Sequence, residues 1–194
     1  MEAIPWMDDI AGWFADPANA LRFVKVMGYT GCRELWLQAE LAMWLEKRER
    51  LAADGDWDTN LYIPKHGRSD LGIRGAQGAL AMALEIKVLG GAYQPKVLTG
   101  SAGTLRSFVD KLRVQAWQVD EAELAQYDGF CLLADYQRLR RLDNTQVKLL
   151  LLVVDNRTVT VPDLGDALAE IQFPAQRTRR QEIVPGLTAR LWQL

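Results

Sequence analysis

The alternation of apolar and polar positions divides the chain into helical and extended stretches. Asp16-Pro17 reads as an N-cap followed by proline at the first helical position, and ANALRFVKVM continues the helix to Gly28, a suitable C-terminal glycine. Trp6, Trp13 and Phe14, close by, mark an apolar surface, read as core in preference to a dimer patch. Thr30 is placed to cap a longer helix, GCRELWLQAELAMWLEKRERL. Leu37, Leu41, Trp44 and Leu45 form one stripe of that helix, and Glu34 and Gln38 stand at its head. A carboxylate on a core-facing stripe is costly unless something pairs with it.

AADGDWDTN then reads as a polar, turn-rich connection, followed by three extended runs: LYIP, ended by Pro64, then KHGRSDLGI and ALAMALEIKVL. Gly72, Gly75 and Gly78 lie between two strands, so they fit a hairpin; a phosphate-binding loop would need a helix N-terminus directly after it. GGAYQPKVLTGSAG lacks the Gly-Lys-Ser/Thr ending of a nucleotide loop and reads as a long connection able to wrap over a substrate. Ser101 is placed to cap GTLRSFVDKLRVQAW, whose Leu105, Phe108, Val109 and Leu112 form an apolar stripe; its charged side reads as solvated. YDGFCLLADY is expected as a fourth, central strand. QRLRRLDNTQ follows as a basic polar stretch, VKLLLLVVDN as a buried strand, and VPDLGDALAEI as a helix from Pro162. The arginines from Arg177 to Arg180 suit either a grip on nucleic acid or a loop, and ARLWQL is expected to close the sheet.

Composition narrows this further. The chain has 194 residues, 49% of them hydrophobic and 25% charged, which fits one globular domain over 1–194 with a sizeable core. The formal charge of −2 and a pI near 5.5 argue against a strongly basic, non-specific nucleic-acid binder. Contact with phosphates therefore falls to a local patch or a bound metal. Cys32 and Cys131 are far apart among helix and strand formers, and both are read as reduced core residues of a cytoplasmic protein. A single histidine, His66, makes a structural zinc site untenable and reads as a surface residue. The acidic N-terminus, broken by Pro5, does not read as a signal peptide, and no segment has the apolar length of a membrane span.

The chemistry concentrates between Gly67 and Gly90. Side chains alternate faces along a strand, so Glu85 and Lys87 project together while Leu84, Ile86 and Val88 point the other way. A hairpin through Gly75 and Gly78 brings Asp70 beside them. Two carboxylates and an amine then converge, a donor set for a hard divalent cation. Read alone, Glu-x-Lys in a strand also suits the solvated side of a half-buried sheet.

Asp70, with Glu85-Ile86-Lys87 on the following strand, resembles the signature of the PD-(D/E)xK, or restriction-endonuclease-like, nuclease superfamily. Ser69 stands where the motif name has proline. The resemblance implies an α/β (α+β) fold with an αβββαβ core, here about 30–136, in which a mixed central sheet is flanked by helices. Residues 1–29 would be an N-terminal helical extension and 137–194 additions of strand and helix. It implies metal-dependent hydrolysis of phosphodiesters, in repair, restriction or defence against mobile elements and phage. Asp70, Glu85 and the carbonyl of Ile86 would hold Mg²⁺ or Mn²⁺, Lys87 would position the attacking hydroxide, and Glu34 would support the metal or its water, with Glu40 as the alternative helix carboxylate. Lys65 and Arg68, ahead of Asp70, are candidate backbone contacts. Nucleic acid, DNA foremost, is the expected partner. A homodimer or a protein partner is also open, and so is a non-cutting binding module, which the acidic pI and seven tryptophans would suit.

Overall fold

The computed structural model describes residues 5–29, 32–48, 57–63, 67–74, 80–90, 132–143, 145–158 and 172–194. Three helices come first: α1 (Trp6–Ala15), α2 (Pro17–Val26) and α3 (Arg33–Lys47). Strands β1 (Trp57–Ile63), β2 (Gly67–Arg74) and β3 (Leu80–Leu89) follow, then helix α4 (Leu132–Arg141), β4 (Thr145–Asp155), β5 (Arg177–Val184) and β6 (Leu187–Gln193). The six strands form one mixed sheet in the order β1-β2-β3-β4-β6-β5, in which β3 and β4 are parallel and every other neighbouring pair is antiparallel.

Helix α2 begins as its sequence dictates, with Asp16 Oδ1 accepting the amides of Ala18 at 2.8 Å and Asn19 at 3.2 Å. One face of the sheet, carrying Leu71, Ile73, Met82, Leu84, Ile86, Leu149, Leu151 and Val153, packs against Ile10, Trp13, Phe14, Phe23, Leu37, Leu41 and Leu45 of the first three helices. Trp13, Phe14, Phe23 and Trp36 contact one another ring to ring at its centre, so Trp13 and Phe14 are core. Helix α4 belongs to the crossover between the parallel strands β3 and β4 and contacts both of them. It faces the charged side of β3.

Several expectations change. Residues 132–136 of YDGFCLLADY are the start of α4, not part of a strand: Leu132, Tyr136 and Leu139 recur at helical spacing and are all buried. Among the described residues, α3, β1, β2, β3, α4 and β4 follow one another in the order helix, three strands, helix, strand, with β4, the run VKLLLLVVDN, as the fourth strand. Trp57–Asn60 belongs to β1, not to a turn-rich connection. Cys32 is exposed at the N-cap position of α3, not in the core, and makes no side-chain capping bond. ARLWQL, apart from Leu194, lies in β6, an interior strand, and the edge on that side is β5, which carries the arginine run. Gly186, with φ 81°, makes the reversal between them possible. Arg177 and Arg179 of that edge pair with Asp8 of α1. Thr30, Cys131, the residues at 91–131 and the helix expected from Pro162 lie outside the described residues. No described helix is long and apolar enough to cross a membrane.

Candidate active site

The site begins where two strands part. Strand β2 pairs with β1 from Gly67 to Ile73, but with β3 only from Leu71 to Arg74. Beyond Leu71↔Leu84 the ladder stops, so the main-chain groups of β3 that face β2 need other partners. Side chains supply them. Asp70 Oδ2 accepts the Ile86 amide at 2.6 Å, and Glu34 Oε1 accepts the Val88 amide at 3.0 Å. Ser69 Oγ lies 3.0 Å from the Leu84 carbonyl, closing the gap next to Asp70. A strand residue directs its N–H and C=O to the same edge, so the Ile86 carbonyl also faces this opening.

Helix α3 lies along the opening with one turn between its polar residues. Glu34 reaches Val88, and Gln38, four residues on, donates to Asp70 Oδ1 at 2.9 Å. Gln38 shares the stripe of Leu37 and Leu41 and is itself buried, so the amide fixes the carboxylate without adding charge. Glu40, the alternative helix carboxylate, instead pairs with Arg22 beside Trp36 and takes no part.

From the other side, α4 presents Asp135 and Arg138 to the charged face of β3. The Lys87 ammonium stands 3.2 Å from Asp135 Oδ2 and 3.9 Å from Glu34 Oε1. Arg138 pairs with Asp135 and reaches Glu85 Oε2 at 3.6 Å. Glu85, Lys87 and Asp135 are buried at 5%, 8% and 1% exposure. Glu-x-Lys is therefore no solvated sheet face.

Among the described residues, four carboxylates here, those of Glu34, Asp70, Glu85 and Asp135, face two cations, Lys87 and Arg138. Proton affinities register the imbalance. Burial, opposed by the Ile86 amide and by Lys87 and reinforced by the Asp135 and Glu34 charges, pushes the Asp70 carboxyl up to about 6. Burial also raises Glu85 well above the usual carboxylate range; Asp135 and Asp70 add to the rise, and Arg138 and Lys87 oppose it. For Lys87 burial works against the charge, but Asp135 and Glu34 outweigh it and hold the ammonium above its ordinary value. Lys87 is thus a charged donor and a poor base.

Asp70, Glu85 and Lys87 are brought together as the strand pattern requires, with Glu34 beside them. Among the described residues each Asp70 oxygen takes one hydrogen bond, which leaves it a second lone pair. Among the described residues no three Asp, Glu, His or Cys side chains group to hold a metal. Two carboxylates and a backbone carbonyl fit an ion that keeps several of its waters, as Mg²⁺ does. Arg68 is exposed on β2, whereas Lys65 and His66 lie outside the described residues. Asp135 and Arg138 were not legible as site residues, because the stretch containing them was divided between a supposed strand and a basic linker. The signal was the helical spacing of Leu132, Tyr136 and Leu139, which puts Asp135 and Arg138 on neighbouring turns. No protein-family model matches this chain, and comparison with curated proteins and with solved structures gives no match.

Proposed function

We propose that the chain is a nuclease with a restriction-endonuclease-like αβββαβ core, hydrolysing phosphodiester bonds of nucleic acid, DNA foremost, with Mg²⁺ or Mn²⁺ held by Asp70, Glu85 and the Ile86 carbonyl. One observation carries the reading: at a break in the sheet, four buried or half-buried carboxylates among the described residues outnumber the two cations beside them when all are ionised. A divalent cation offsets that excess. Bound there, it would supply an acidified water and neutralise charge on the phosphate.

The chain's own side chains do the rest. Lys87, kept protonated, offers N–H donors to a phosphate oxygen or to the attacking water, where they stabilise charge as it develops. Glu34 is part exposed, and its Oε1 already takes the Val88 amide. Gln38 and the Ile86 amide hold Asp70 in one orientation, which spares the site reorganisation when the ion arrives.

A second reading, a protein of this fold that binds nucleic acid or a protein partner without cutting, is favoured by Arg138 beside Glu85, where a guanidinium already offsets part of the charge. Calorimetric titration with Mn²⁺, run beside a cleavage assay on single- and double-stranded DNA and RNA, separates the two. Mn²⁺ binding and cleavage that both disappear in Asp70→Asn support the nuclease. A wild-type chain that takes up no Mn²⁺ and leaves every substrate intact rejects it and leaves the binding module.

A further inference from the structure

We infer that Asp135 is a positioning residue for Lys87, acting from α4 on the ammonium group; the inference rests on the nuclease reading above. Asp135 is the most deeply buried carboxylate of the site, at 1% exposure, and sits on a helix whose inward residues are otherwise mostly apolar. Burying a charge there costs several kcal/mol of solvation before any partner is counted. Its Oδ1 is taken by Arg138 of the same helix. Its Oδ2 has no hydrogen-bond partner among the described residues and lies 3.2 Å from the Lys87 ammonium.

The pair within α4 would be neutral without Lys87, but it engages only one Asp135 oxygen. What the second oxygen adds is a fixed anion beneath a side chain with four rotatable bonds. Lys87 is then held between two elements, by Asp135 of α4 and by Glu34 of α3 at 3.9 Å. These two ion pairs fix where the ammonium stands, beside the opening that holds Asp70 and Glu85, and its N–H groups can donate into that opening. Arg138 keeps the arrangement in register by touching both Asp135 and Glu85.

The test is a double-mutant cycle on cleavage with Mn²⁺ present. Asp135→Asn keeps the shape and removes the charge. It is expected to lower kcat about 30- to 100-fold, the cost of a misplaced group, while KM and the Mn²⁺ dissociation constant stay within about threefold. In a Lys87→Ala background the same change is expected to do nothing further, since the residue through which it acts is gone. Asp135→Glu, which restores the charge one methylene farther out, should recover part of the rate. Should Asp135→Asn fail to fold by circular dichroism, Asp135→Glu carries the cycle, with a smaller fall in kcat that again vanishes in Lys87→Ala. A wild-type rate in the folded variant, a loss that adds to that of Lys87→Ala, or a loss of Mn²⁺ affinity overturns the inference and leaves the nuclease reading standing. A wild-type chain that neither binds Mn²⁺ nor cleaves removes the nuclease reading and the inference with it.

Discussion

Two carboxylates, Asp135 and Asp155, are equally buried in this sheet protein, each at 1% exposure, and they are completed in opposite ways. Asp155 ends β4 and is satisfied by a single neighbour: Arg157 reaches its two oxygens with Nε at 2.7 Å and Nη2 at 2.8 Å, and adds its backbone amide at 3.1 Å. One anion meets one guanidinium in fork geometry, and the pair closes a turn. Asp135 belongs to a cluster in which, among the described residues, four carboxylates share two cations and one Asp135 oxygen has no hydrogen-bond partner, and the carboxyls of Asp70 and Glu85 hold protons more tightly than usual. Burial alone does not mark a functional site. Incomplete compensation of buried charge does, because a fold gains nothing from it unless something else binds.

The sharpest way to break this comparison is activity. Asp70→Asn and Lys87→Ala should each lower cleavage by about 10²- to 10³-fold or more, while Arg157→Ala, assayed below its unfolding temperature, should cleave at the wild-type rate. Equal losses in all three would mean that the two sites do not differ in kind. Next in size is the response to metal. Mn²⁺ at about 100 times its dissociation constant should stabilise the wild type by about 2.7 kcal/mol, and Asp70→Asn should show none of that gain in a thermal melt.

Arg157→Ala should do the reverse, leaving metal binding intact and costing about 2 kcal/mol of stability, because Asp155 stays buried with its fork partner gone. That loss corresponds to a fall in Tm of about 6 °C for a chain of this length.

The subtlest prediction concerns pH. The folded Asp70 carboxyl sits at about 6 against an ordinary value of 3.8, so its favourable contribution is complete below about pH 4 and lost as pH rises through 6. In chelator, Asp70→Asn should therefore be more stable than wild type at pH 7.5, by about 3 kcal/mol, and the difference should vanish by pH 4. Chemical denaturation at the two pH values measures it; a variant less stable than wild type at pH 7.5 would show that Asp70 is compensated as Asp155 is.

Much of this was legible along the chain. Period-two alternation in ALAMALEIKVL placed Glu85 and Lys87 on one face, and the glycines ahead of it required the hairpin that brings Asp70 near. Glu34 was marked as anomalous by standing at the head of an apolar stripe. Ser69 carried more than the motif comparison suggested, since its hydroxyl serves the Leu84 carbonyl where the strands part. The fourth strand was misplaced because a short apolar run such as FCLLADY suits a strand as well as a helix end, and the helical spacing shows only when Leu139, beyond the run, is read with Leu132 and Tyr136.

By itself, then, the sequence determined the local facts: which stretches pair as strands, which side of β3 bears charge, and where α2 begins. Those depend on neighbours within a few residues, through alternation, capping and turn chemistry. Tertiary structure decided how the charge is balanced. Asp135 lies 48 positions from Lys87 and Glu34 lies 54 from Val88, and these separations close only once β2 leaves β3, α3 lies along the gap and α4 packs on the charged face. Electrostatic completion is a sum over groups brought together in space, and no local pattern of residues contains it.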